Sequence, residues 1–125
     1  MITSLTQLAQ SYPWHRFENV KTKEDLERVC SEVREALIPM CEGSPKEALE
    51  QEREGKYFYQ GVLSAHPEII TDLSDDEREQ LISAGETFNQ GVEENNFSLM
   101  MVGLREIVDK MLTLGLFQKV DETLA

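Results

Sequence analysis

The side chains with the most chemistry to offer are few. They are His15, His66, Cys30, Cys41 and the acidic run Asp72-Leu73-Ser74-Asp75-Asp76-Glu77-Arg78-Glu79. A zinc or redox site needs cysteines and histidines at short, regular spacing. There is no C-x-x-C pair, and neither histidine stands at ligand spacing from another His or Cys. The acidic run is dense enough to suggest calcium. It lacks the glycine at the sixth position and the bidentate glutamate at the twelfth that a calcium loop requires, and it reads better as a helix start. No glycine-rich phosphate loop and no nucleophile elbow occurs. The expectation is therefore a protein without catalytic residues, metal ligands or cofactor, not an enzyme.

What remains is contact chemistry. Trp14, His15 and Phe17 form an aromatic cluster, and Trp and Tyr are frequent interface anchors. Tyr57 and Tyr59 form a second aromatic group. Asp75, Asp76 and Glu77 offer three adjacent carboxylates. These eight residues are the partner-binding candidates. Each group has a structural reading beside the functional one. The aromatics can cover a core between helices, and the carboxylates can complement a positive helix end.

The elements that must position them are helices. Ile2, Leu5 and Leu8 mark a short helix over residues 2–11, which Pro13 ends. Thr22-Lys23-Glu24-Asp25 resembles a capping box. From it, Leu26, Val29, Cys30, Val33, Leu37 and Met40 keep three/four spacing, which predicts an amphipathic helix of about 18 residues. Cys30 and Cys41 fall on this helix about 16 Å apart along its axis. That is too far for a disulfide, and small buried apolar side chains are expected. Ser44-Pro45-Lys46-Glu47 starts a helix predicted to run to Ala65, with its charged first half in solvent. Ser74-Asp75-Asp76-Glu77 starts another, which Glu93-Glu94-Asn95-Asn96 interrupts. Phe97 to Leu114 is the last long helix, and Gly115 is its stop. Residues 118–125 read as a flexible tail behind a single domain spanning 1–117. No alternating segment predicts a strand. The fold class expected is all-α: an antiparallel bundle of four main helices behind a short N-terminal one.

Two resemblances bear on function. Gly55-Lys-Tyr-Phe-Tyr-Gln-Gly-Val62 and Gly85-Glu-Thr-Phe-Asn-Gln-Gly-Val92 share Gly, Phe, Gln, Gly and Val in register, which resembles helical-hairpin repeats of the tetratricopeptide kind. Over residues 76–114, the rhythm Glu79-Gln-Leu-Ile-Ser-Ala-Gly85, Gly91, Leu104-Arg-Glu-Ile-Val108 and Met111-Leu112 resembles the helical C-terminal region of DnaK-type heat-shock chaperones. The chain is too short for the ATPase domain or peptide-gripping β-sandwich of that family. This resemblance therefore implies a detached helical module that stabilises, regulates or recruits.

Charge narrows the partners. The chain has 125 residues, 24 acidic and 12 basic, for a net charge of −12. That argues against coating a nucleic acid or an anionic membrane, since both call for clustered Lys and Arg. Residues 66–125 hold 13 of the acidic side chains and only four of the basic ones. No apolar run approaches the roughly 20 residues of a membrane span. The cysteine content suits a reducing, cytoplasmic compartment. The leading expectation is a non-enzymatic acidic module that binds another protein, with a chaperone system as the setting the resemblance implies. The alternative is a small acidic inhibitor, of phage or mobile-element type, occupying the basic site of a nucleic-acid-binding protein. Self-association into a homodimer is left open.

Overall fold

The computed structural model describes residues 1–124, except for the side chain of Arg53. Seven α-helices follow one another: α1 Leu5–Ser11, α2 Lys23–Leu37, α3 Ser44–Gly55, α4 Tyr59–Ala65, α5 Asp75–Glu93, α6 Phe97–Thr113 and α7 Leu116–Leu124. Short 3-10 turns at Trp14–Asn19, Ile38–Met40 and Pro67–Ile70 join some of them. Among the described residues there is no strand, only an isolated parallel bridge between Ile2 and Cys41. The fold is all-α.

Helix ends follow the cap chemistry. The Ser74 hydroxyl accepts from the Glu77 amide at 3.2 Å, and the Glu77 carboxylate accepts from the Ser74 amide at 3.0 Å, completing the capping box. At α2 the Thr22 hydroxyl accepts from the Asp25 amide at 3.1 Å, while Asp25 reaches back one residue further, to the Lys21 amide. Leu26, Val29, Cys30, Val33 and Leu37 are buried as their spacing predicts.

Several expectations are corrected. The first helix starts at Leu5 rather than residue 2, because Ile2 is held in the bridge: its amide donates to the Met40 carbonyl at 2.6 Å. The second stops at Leu37, where Pro39 removes a helical donor. Met40 is then left 49% exposed, and Cys41 lies beyond the helix instead of on its stripe. The helix predicted over 44–65 breaks in two at Lys56, which has φ +55°. There the Tyr57 ring folds back over Gly55 so closely that a β-carbon at 55 would lie 2.3 Å from it. The first half, α3, does not project into solvent, since Pro45, Ala48, Leu49 and Glu52 bury one face of it. Last, residues 118–124 are no tail. They belong to α7, whose Leu116, Val120 and Leu124 are at most 2% exposed. They repeat every four residues and close the core against α4, α6 and the turn at Pro67–Ile70. Residue 125 lies outside the described residues.

The α5–α6 hairpin is the most extensive helix pair. Two glycines bring the backbones together: a β-carbon on Gly91 would sit 2.4 Å from the Met100 nitrogen, and one on Gly103 would sit 2.3 Å from the Phe88 nitrogen. Asn95 turns the chain with φ +50°, and the Asn96 side chain caps α6 by accepting from the Leu99 amide at 3.1 Å. The same turn receives α1. The Asn95 side chain accepts from the Leu5 amide at 2.7 Å, and the Thr6 hydroxyl donates to the Val92 carbonyl at 2.7 Å.

Gly85 lies on the same hairpin with nothing within 4 Å of an added β-carbon. Replacing a helical glycine with alanine gains up to about 1 kcal/mol of helix propensity. At Gly85 that gain should appear as a raised denaturation midpoint. At Gly103 it is outweighed by collision with backbone that no rotamer change can relieve, and Gly103→Ala should lose about 1–3 kcal/mol net. Urea titration of the two variants measures both signs.

Candidate functional site

Tyr12 follows the last residue of α1, and Pro13 turns the chain into the Trp14–Asn19 turn. Phe17 in that turn is fully buried. Its ring lies against Gly61 of α4, where a β-carbon would come within 2.9 Å of it. Tyr12 stacks nearly parallel to Phe17 at 6.3 Å, and Trp14 packs on Tyr12 at 4.4 Å. The Tyr12 hydroxyl donates to Oε1 of Glu52 on α3. Glu52 is 9% exposed, and its Oε2 has no hydrogen-bond partner. Burial pushes the Glu52 carboxyl above the usual glutamate range, against the Tyr12 hydrogen bond and the Arg34 charge, which favour the ionised form. Burial and the neighbouring carboxylate raise the Tyr12 phenol as well.

Glu52 stands in the wall of an apolar pocket of about 90 Å³. Tyr12, Trp14 and Tyr57 contribute rings to its lining, while Leu8, Phe88 and Met100 are among its apolar residues. Helices α1, α3, α5 and α6 all reach it.

The expected contact residues part company here. Trp14 and Tyr57 meet at the pocket. His15 is exposed and does not line it. Phe17 and Tyr59 are buried and offer no surface anchor. The Tyr59 hydroxyl donates to Asp121 at 2.8 Å, and its ring meets Phe117 edge-on at 5.1 Å. Burial and Asp121 push the Tyr59 phenol up to about 12. Asp121 also pairs with Lys23 at 3.1 Å, so Tyr59 belongs to a junction of α2, α4 and α7.

Of the three carboxylates at α5, Glu77 is spent on the cap, and the Ser74 amide and hydroxyl hold it below the usual carboxylate range. Asp75 is exposed. Asp76 accepts from Gln80 at 3.2 Å and borders a broad depression between α5 and α6. Glu79, Glu86, Glu106 and Asp109 line the same depression, as does Ile82, which is 60% exposed. Leu112 lies three residues after Asp109 on α6 and is 69% exposed. Lys110 crosses the depression to Gln80 at 3.2 Å.

Several of these residues escaped the sequence reading. Glu52 looked like one more charge in a solvated run. Only its register with Pro45, Ala48 and Leu49 marks it as inward-facing. Leu112 reads as part of the apolar stripe of the last long helix, and Ile82 carries no sequence mark of exposure. His66 ends α4 and lies 3.2 Å from Glu68, with its Nε2 buried and unpartnered. Among the described residues, no cluster of His, Cys, Asp or Glu could hold a metal ion, and no helix is long and apolar enough to cross a membrane. No family model, curated protein or solved structure matches this chain.

Two substitutions probe the buried pair. Tyr12→Phe leaves Glu52 without its donor and should cost about 1–3 kcal/mol at neutral pH. The folded carboxyl titrates above its unfolded value. Its contribution is therefore complete below the unfolded pKa and fades as pH rises through the folded one. Glu52→Gln carries no such titration. The stability of this variant relative to the parent should rise as pH climbs from about 4.3 and then level off. Thermal denaturation across pH checks this, and a flat difference would contradict the assignment.

Proposed function

We propose that this protein acts without catalysis, as an acidic helical module that binds another protein through the outer face of the α5–α6 hairpin. One observation carries the reading. Exposed Ile82 stands among Asp76, Glu79, Glu86, Glu106 and Asp109 on a shallow surface, and Leu112, one helical turn past Asp109 on α6, is exposed as well. Helical spacing puts Ile82 three residues after Glu79 and four before Glu86, so one face presents both an apolar contact and negative charge. From α5 through α6 there are nine acidic side chains and three basic ones. The complementary partner is a basic amphipathic segment, whose charges speed encounter and whose apolar residues supply affinity. The resemblance of residues 76–114 to the chaperone helical region supports a chaperone setting for this contact, and that support rests on sequence alone.

The crowding of acidic residues after residue 66 favours one second reading, in which the partner's basic surface is itself a nucleic-acid site and this chain inhibits by occupying it.

The test is affinity capture from host extract with the parent protein and a Glu79→Lys/Glu86→Lys/Asp109→Lys variant. The expected result is a reproducible basic partner whose recovery falls by about tenfold or more in the variant and declines with added salt. Capture that is indifferent to these charges would sink the proposal. Competition of the captured partner by DNA or RNA would select the inhibitor reading.

A further inference from the structure

The last helix is joined to the rest of the chain by a link of two residues, Leu114 and Gly115. Leu114 already has right-handed backbone angles, with φ −85°. Gly115 alone makes the reversal, in the left-handed conformation with φ +69°. A β-carbon at this position would meet nothing within 4 Å. Glycine is needed there for its backbone angle and not for space, and that angle folds α7 back over α4 and the Pro67–Ile70 turn.

With Gly115 in the right-handed conformation instead, α6 and α7 become one helix from Phe97 to Leu124. No proline stands in that span to prevent it. At about 100° per residue, Leu116, Val120 and Leu124 then stand roughly 140–220° around the helix from the buried Met111. The apolar stripe of α7 points away from its own core and is carried about 13 Å past the end of α6. Its own chain cannot bury it there, and the seat on α4 and the turn is vacated.

The bonds that seat α7 are indifferent to which chain supplies it. Asp121 accepts from Tyr59 of α4 at 2.8 Å and pairs with Lys23 of α2 at 3.1 Å, and Lys119 lies 3.9 Å from Asp72. None of these three partners is on α6. A second copy with its own α7 extended offers the same Tyr59, Lys23 and Asp72 beside the same vacated seat. Exchange between two copies restores these contacts, with the hinge as the one segment rebuilt.

We infer that α7 is an exchangeable element: two copies of this chain form a symmetric dimer in which each lays residues 116–124 on α4, α6 and the Pro67–Ile70 turn of the other, with Gly115 as the hinge. Short hinges of this kind favour such exchange over other modes of self-association. Each copy carries a net charge of −12, so repulsion opposes the dimer and salt favours it. The exchange uses none of the carboxylates on the α5–α6 face, and it holds or fails independently of partner binding there.

Alanine at 115 disfavours the left-handed angle by about 5–30-fold and favours the continuous helix. Gly43 is the matched control. Its φ is +72°, a β-carbon there also meets nothing within 4 Å, and it lies ahead of α3. Equal amounts of isotopically labelled and unlabelled chain are unfolded in urea, refolded together at millimolar concentration and moderate salt, and sized by sedimentation. A carbodiimide then couples the Lys23 amine to the Asp121 carboxylate. The expected parent product includes a dimer whose coupled Lys23–Asp121 peptides join labelled to unlabelled chains. Gly115→Ala should form this dimer at a concentration about tenfold or more below that needed by Gly43→Ala. No dimer in the parent, coupled peptides of one isotope only, or equal concentration dependence in the two folded alanine variants would each overturn the inference. The isotope readout uses the parent alone, so it decides the matter even where Gly115→Ala fails to fold.

Discussion

The near-contact of two backbones holds this molecule together. Gly91 and Gly103 let α5 and α6 approach until a single added carbon would overlap main-chain atoms on the facing helix. Everything else takes its place from that hairpin. Its turn presents Asn95 to the start of α1, its inner face receives α3, and α7 folds back from its end. Buried side chains such as Leu104, Ile107 and Met111 add roughly 1.5–3 kcal/mol each once seated. That gain is available only where the helices are already close, and the glycines set the distance.

The second organising feature is electrostatic. A carboxylate rarely enters an apolar interior without a charged partner at bonding distance, because desolvation outweighs what neutral donors return. Glu52 does so with one phenol hydroxyl and the more remote influence of Arg34. Through this bond α1 and α3 are tied together across 40 residues of sequence. The pocket beside it is a consequence of the same packing. The Tyr57 ring turns back over Gly55 at the end of α3, and it borders the same apolar space as the Tyr12 ring.

Much of the helical layout was legible. The cap residues Thr22 and Ser74, the stop at Gly115 and the stripe from Leu26 to Leu37 follow from local hydrogen bonding and three/four spacing, which need no tertiary partner. What failed was decided at a distance. The break at Lys56 depends on where the Tyr57 ring lies, and α7 depends on a groove built by helices up to 65 residues earlier. The candidate site was harder still. A Glu in a run of charges carries no local mark of burial. Trp14, Phe17, Tyr57 and Tyr59 look alike in sequence, yet two line a pocket and two are core. Residue type alone cannot divide them, because the division is made by partners distant in sequence: Phe17 packs on Gly61 and Tyr59 bonds Asp121.

The seating of α7 has a consequence for how the chain matures. This helix lies downstream of every element it packs on, and its Leu116, Val120 and Leu124 fill space that α4, α6 and the Pro67–Ile70 turn leave open. A nascent chain that has reached only the end of α6 therefore displays an unfinished apolar groove, and Tyr59 and Lys23 still lack Asp121. Until α7 docks, the chain presents a sticky surface that the completed fold conceals.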